Sequence, residues 1–98
     1  MRGHRQLSRA EVRQLSASAR TGDAAAARRL LAHSIALGHK RLSLRRFYFA
    51  QALGVTGLKE FEPFCERVKA TLSATDLQAM ARQSFEMATR ARRNGGFC

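Results

Sequence analysis

Three glycines, Gly22, Gly38 and Gly54, cut the first half of the chain into short stretches, and each stretch reads as a helix. Glycine takes left-handed φ without a Cβ penalty, so it is the common residue just past a helix end. Each of the three is therefore predicted to be a helix stop with positive φ. The starts are signalled as well. Ser8 and Glu11 form a capping box, with Leu7 and Val12 placed as a hydrophobic staple. Val12, Leu15 and Ala19 then make a narrow apolar stripe on a first helix ending near Arg20. Asp23 caps a second helix to about Leu37, whose apolar face is Ala27, Leu30, Leu31, Ser34 and Ile35. His39, Lys40 and Arg41 read as a basic connection. Ser43 is expected to cap a third helix, Leu44 to Leu53, which has little polar face after Arg45 and Arg46 and is the candidate central helix.

Beyond Gly54 the punctuation continues. Val55 to Phe61 reads as a turn or short helical piece capped by Thr56. Pro63 suits the first position of a fourth helix running to about Leu72, with Phe64, Val68 and Leu72 inward. Thr75 and Gln78 form a second capping box for a fifth helix. That helix carries Leu77, Met80, Ala81, Ser84, Phe85 and Ala88 at helical spacing and ends at Asn94, Gly95 and Gly96. Strand signals are sparse: the β-branched aliphatics are Val12, Ile35, Val55 and Val68, set against seventeen alanines. The expected fold is all-α: a compact bundle of four to five short helices in a single domain over residues 1–98, with 1–7 and 94–98 flexible. Ninety-eight residues allow one domain. The expected core is Phe47, Leu53, Phe64, Val68, Leu72, Met80 and Phe85.

Charge is the second constraint. The net charge is +11, unevenly placed: residues 1–46 hold 11 basic and 2 acidic side chains, and residues 47–89 hold 4 basic and 5 acidic. Arg90, Arg92 and Arg93 follow. Such a distribution attracts polyanions, whether nucleic acid, an anionic membrane or an acidic protein. Fifteen arginines against three lysines fit the coding bias of a GC-rich genome. That bias accounts less well for the scarcity of acids in the first half.

Catalytic and metal chemistry find no support in the residue pattern, and no enzymatic role, cofactor or metal is expected. His4, His33 and His39 do not stand at ligand spacing with one another or with a cysteine. Glu60, Glu62 and Glu66 lie among Lys59, Arg67 and Lys69, as a solvated charged face does. There is no glycine-rich phosphate loop. Cys65 is expected to pack beside Phe64, and Cys65 with Cys98 makes no disulfide framework. No apolar run reaches membrane-spanning length and no secretory core follows the start, so a reducing cytoplasm is the expected compartment. The arginine- and serine-rich first twenty residues also have the composition of a mitochondrial transit peptide, but their helix punctuation suits a folded element.

Arg2, Arg5, Arg9 and Arg13 follow three- and four-residue spacing, and Arg20 rejoins the row; if the helix extends forward to the N-terminus, they form one stripe opposite Val12 and Leu15. Arg28, Arg29, Lys40, Arg41, Arg45 and Arg46 are candidates to extend it. A row of guanidiniums can bind successive phosphates bidentately. Acidic partners four residues away are scarce, which weakens the alternative of a salt-bridged solvent face. Phe47, Tyr48 and Phe49 cannot all face one way, yet core packing is the better reading for them than base stacking. Ala50, Gly54 and Val55 have the spacing of the helix-turn-helix turn, but the apolar positions of a following recognition helix would fall on Glu60 and Pro63. That segment would also set Glu60, Glu62 and Glu66 against phosphates, so the chain is not assigned to that family.

The first expectation is a nucleic-acid-binding accessory protein, for DNA or RNA, contacting phosphates through Arg5, Arg9, Arg13, Arg28, Arg29, Lys40, Arg41, Arg45 and Arg46. The alternative is a non-catalytic adaptor or inhibitor docking an acidic protein partner, within a nucleoprotein complex or outside one. A peripheral membrane role is third, since the first helix lacks a bulky apolar face. One continuous positive face favours the first reading, and an exposed apolar patch beside it favours the second.

Overall fold

Ser8 opens α1 (Arg9–Ala19) as a complete capping box. Its hydroxyl accepts the Glu11 N–H at 3.1 Å, and its own N–H donates to the Glu11 carboxylate at 2.8 Å. The computed structural model describes residues 7–95; Arg2, His4, Arg5, Phe97 and Cys98, like most of the two ends expected to be flexible, lie outside them. The Asp23 carboxylate accepts the Ala26 N–H at 3.1 Å and opens α2 (Ala24–Ala36). Then come α3 (Lys40–Leu53), a single 3₁₀ turn (Lys59–Phe61), α4 (Glu62–Lys69) and α5 (Ala74–Gly95). The protein is all-α, with no strand among the described residues.

The glycine stops are as expected. Gly22, Gly38 and Gly54 have φ of 91°, 75° and 84°. Around Gly54, the Gly54 N–H donates to the Gln51 carbonyl and the Val55 N–H to the Ala50 carbonyl, each at 3.0 Å, which closes a Schellman motif. Gly95 has another role. In the last turn of α5 it crosses the α1–α2 turn so closely that a Cβ there would overlap the Thr21 carbonyl oxygen.

Four expectations about the elements are corrected. Ser43 does not cap α3. The helix starts at Lys40, immediately after the His39 N–H closes the α2 terminus on the Ser34 carbonyl, so Ser43 lies one turn inside and fully buried. Its hydroxyl has no hydrogen-bond partner among the described residues. Thr56 caps nothing, because the 3₁₀ turn begins only at Lys59, after Leu58. The fourth helix ends at Lys69, before Leu72, and the Thr71 hydroxyl donates back to the Val68 carbonyl at 2.7 Å. The fifth helix starts ahead of Thr75: the Ser73 hydroxyl accepts the Asp76 N–H at 3.1 Å.

α3 is the hub, packing against α2, α4 and α5, while α1 packs on α2. Leu44, Phe47 and Ala50 are its buried stripe, and they meet Leu30 and Leu31 of α2, Cys65 and Val68 of α4 and Met80 of α5 in one core. Leu53, Phe64 and Leu72 pack against that core only half-buried. Phe85, expected inside, is 58% exposed. The inward stripe of α5 is Met80, Ser84, Ala88 and Ala91, and Phe85 stands about 100° around the helix from Ser84. Three of those four inward residues are small, which lets α5 lie close on α3. No helix among the described residues is long and apolar enough to cross a membrane.

Candidate nucleic-acid interface

On α1, Arg9, Arg13, Ser16 and Arg20 fall within about 60° of one another at 3.6 residues per turn. The arginines of the row stand about 120–160° from Leu15, as expected, but they do not stand opposite Val12. Val12 is only about 60° from Arg9, so the arginines flank the apolar stripe and reach over the seam between α1 and its neighbours. At one end of that seam Arg9 and Arg13 meet His33 and His39 around a depression of about 470 Å³, floored by Leu7, Val12 and Leu37. Arg29 is exposed on α2 one turn before His33. Lys40 and Arg41, also exposed, open α3 directly after His39.

The start of α3 differs from those of the other helices. His39 gives no side-chain cap, and no acid stands in the first turn. Elsewhere Ser8 with Glu11, Asp23, Glu62, and Ser73 with Asp76 fill these roles. The start of α3 thus adjoins the depression through His39, and no acid lines that depression.

Farther along the seam, Ser16 and Arg20 of α1 face Leu42, Arg45, Arg46 and Phe49 of α3 and Gln83 and Met87 of α5 across a groove of about 520 Å³. Arg46 is half-buried there. Its Nη1 donates to the Leu30 carbonyl at 2.8 Å, and desolvation lowers its pKa from the ordinary arginine value. The groove has no acidic lining residue. Leu42 and Met87 are 36% and 52% exposed, so an apolar patch lies beside the basic seam, the feature that favours an acidic protein partner at this groove rather than nucleic acid.

The nine candidate residues therefore separate. Arg9 and Arg13 share the depression with His33 and His39, while Arg29 on α2 and Lys40 and Arg41 at the start of α3 are exposed and do not line it. Arg45 and Arg46 belong to the groove. Arg5 lies outside the described residues. Arg28 is committed internally: it pairs with the Glu60 carboxylate, its Nε donates to the Gly57 carbonyl at 3.4 Å, and its guanidinium lies 5.1 Å from the Phe61 ring centroid. That set of contacts fastens the 3₁₀ turn to α2. Of the residues lining these two hollows, His33, Leu42 and Met87 have no binding role in the sequence pattern; Arg20 belongs to the arginine row and His39 to the basic connection, but neither is among the nine candidates. For Arg20, the helical row of arginines was the available signal.

The surface around the 3₁₀ turn and α4 has different chemistry. Glu60, Glu62 and Glu66 are exposed around the 3₁₀ turn and α4. The Lys69 ammonium bonds Glu66 at 3.0 Å and lies 5.7 Å from the Tyr48 ring and 6.0 Å from the Phe47 ring. The bond to Glu66 raises its pKa above the ordinary lysine value. Cys65 is buried, and desolvation pushes its thiol up to about 11, so it is protonated at neutral pH. Among the described residues, no three His, Cys, Asp or Glu side chains gather as metal ligands. No known family, curated protein or solved structure matches this chain.

Proposed function

We propose that this protein is a non-catalytic nucleic-acid-binding accessory protein, contacting phosphates at the end of the bundle where α1, α2 and α3 converge. The observation that carries this reading is the acid-free depression that brings Arg9 and Arg13 to His33 and His39 beside the uncapped start of α3. Guanidiniums hold phosphate oxygens bidentately, and uncapped N–H groups at a helix start add an anion-favouring field. Arg29 of α2 and Lys40 and Arg41 at the start of α3 are exposed and add positive charge to the helices that carry His33 and His39. Contacts of this kind position a phosphate backbone and carry little base-sequence information.

The test is an electrophoretic mobility comparison of duplex DNA, single-stranded DNA and RNA at 50 and 200 mM salt. About six phosphate contacts predict saturable binding that weakens on the order of 10³-fold across that range on duplex DNA. Absence of saturable binding to all three at physiological salt would remove the proposal.

A further inference from the structure

The second surface is the groove between α1, α3 and α5. Its apolar lining is Leu30, buried, Phe49, half-buried, and Leu42 and Met87, exposed. Its margins are cationic. Arg45 and Arg46 stand along the α3 side and Arg20 on the α1 side. A smaller hollow continues the groove past Met87 to Arg90 and Asn94, sharing Arg20 and Phe49 with it. No acidic side chain lines either stretch.

From this we infer that the groove docks an acidic amphipathic helix of a partner protein, its apolar face on Leu42, Phe49 and Met87 and its carboxylates on Arg20, Arg45, Arg46 and Arg90. Length supports a helix. The α5 wall from Gln83 to Asn94 extends about 16 Å, three turns of helix, which matches an apolar row at i, i+3 or i+4, and i+7. Charge supports acids on both flanks: guanidiniums stand on opposing walls and again at the far end, where a single anionic headgroup would engage only one of them. Arg46 is held in place by its bond to the Leu30 carbonyl, which uses one of its five N–H donors. A nucleic acid would meet an aliphatic surface here with Phe49 as the one aromatic lining residue, a poor platform for base stacking.

The experiment is a selection from a displayed library of 15-residue helices. Leucine is fixed on one face and the remaining positions are randomised over charged and polar residues. The full chain is the bait. The expected result is enrichment of Asp and Glu on both flanks of the leucine face. A labelled selected peptide should bind in fluorescence anisotropy and lose at least tenfold in affinity against Leu42→Gln/Met87→Gln and against Arg20→Gln/Arg45→Gln. Both leucine and methionine are exposed, so these glutamines leave the core intact, and circular dichroism checks that they do. The Arg9→Gln/Arg13→Gln variant should bind the peptide as the wild type does, while Leu42→Gln/Met87→Gln should retain nucleic-acid binding. Failure of this inference and failure of the nucleic-acid reading are thereby separate results. Selection without acid enrichment, or selected peptides binding Leu42→Gln/Met87→Gln at full strength, overturns the groove assignment. Displacement of the peptide by single-stranded DNA with equal sensitivity to the groove variants would transfer the groove to nucleic acid and equally overturn it.

Discussion

Ser43 and Ser34 are both fully buried serines within helices, yet alanine should have opposite effects at the two positions. The Ser34 hydroxyl donates to the Leu31 carbonyl at 2.8 Å, whereas the Ser43 hydroxyl has no partner among the described residues. A buried unsatisfied hydroxyl costs about 1–3 kcal/mol, and alanine exceeds serine in helix propensity by about 0.5 kcal/mol. The small void left by one oxygen works against these gains. Ser43→Ala is therefore expected to stabilise by about 1–2 kcal/mol. For Ser34→Ala, the lost bond is worth about 1 kcal/mol net and the propensity gain offsets part of it, so a destabilisation of about 0.5 kcal/mol is expected. Urea titrations followed by circular dichroism at 222 nm would measure both, with equal m-values required for the comparison. Near the midpoint, 1 kcal/mol corresponds to roughly 4–8 °C in Tm for a domain this size. If Ser43→Ala lost as much stability as Ser34→Ala, the unpaired hydroxyl would not be the liability argued here.

Large-to-small changes should follow burial: Phe47→Ala costs about 3–5 kcal/mol, half-buried Leu53→Ala about 1–2, and exposed Phe85→Ala within about 0.5, as denaturation midpoints would report. Arg28→Gln removes the pair with Glu60 and the contact with Phe61. About 1 kcal/mol of stability should go, with less effect on nucleic-acid affinity than removing Arg13; an affinity loss matching Arg13→Gln would place Arg28 in the interface instead. Cys65 in a Cys98→Ser background should react with a thiol reagent at pH 8 far more slowly folded than in denaturant. Because folding raises its pKa to about 11 from 9.0, the unfolded thiol ionises first, so its contribution to stability is intact below pH 9 and declines as pH rises from 9 towards 11. A flat profile across that window, measured by urea titration, would contradict the assignment.

Helix ends were legible where their chemistry is local. The Ser8–Glu11 box, the Asp23 cap and the three glycine stops each depend on atoms within a few residues, so sequence carries them whole. The failures share a different cause. Ser43 looks like a cap, but α2 closes on His39 and leaves no length for a connection, so α3 starts a turn earlier. Ser73 with Asp76 and Thr75 with Gln78 are competing start signals two residues apart, and the first prevails. Phe85 fits a helical apolar row, yet close approach of α5 to α3 favours Ser84, Ala88 and Ala91 on the inner face. The candidate site was legible as a set of residue types and not as a place. Spacing gave the α1 row, but only packing assigns Arg28 to Glu60 and Phe61, brings His33 and His39 to Arg9 and Arg13, and sets Arg45 and Arg46 over an apolar groove.

The most direct measurement is the salt dependence of duplex-DNA affinity for three proteins: the wild type, Arg9→Gln/Arg13→Gln, and Lys59→Gln/Arg67→Gln. Both variants lose two positive charges, so a purely global effect of net charge would treat them alike. Gln is a good helix former, and neither pair includes a cap residue. If phosphates bind at the α1–α3 end, the first variant weakens binding and flattens the slope of log K against log salt by about two units. The second, on the acidic side of the molecule, keeps a slope within about half a unit of the wild type. Equal slopes for the two variants would contradict a located interface.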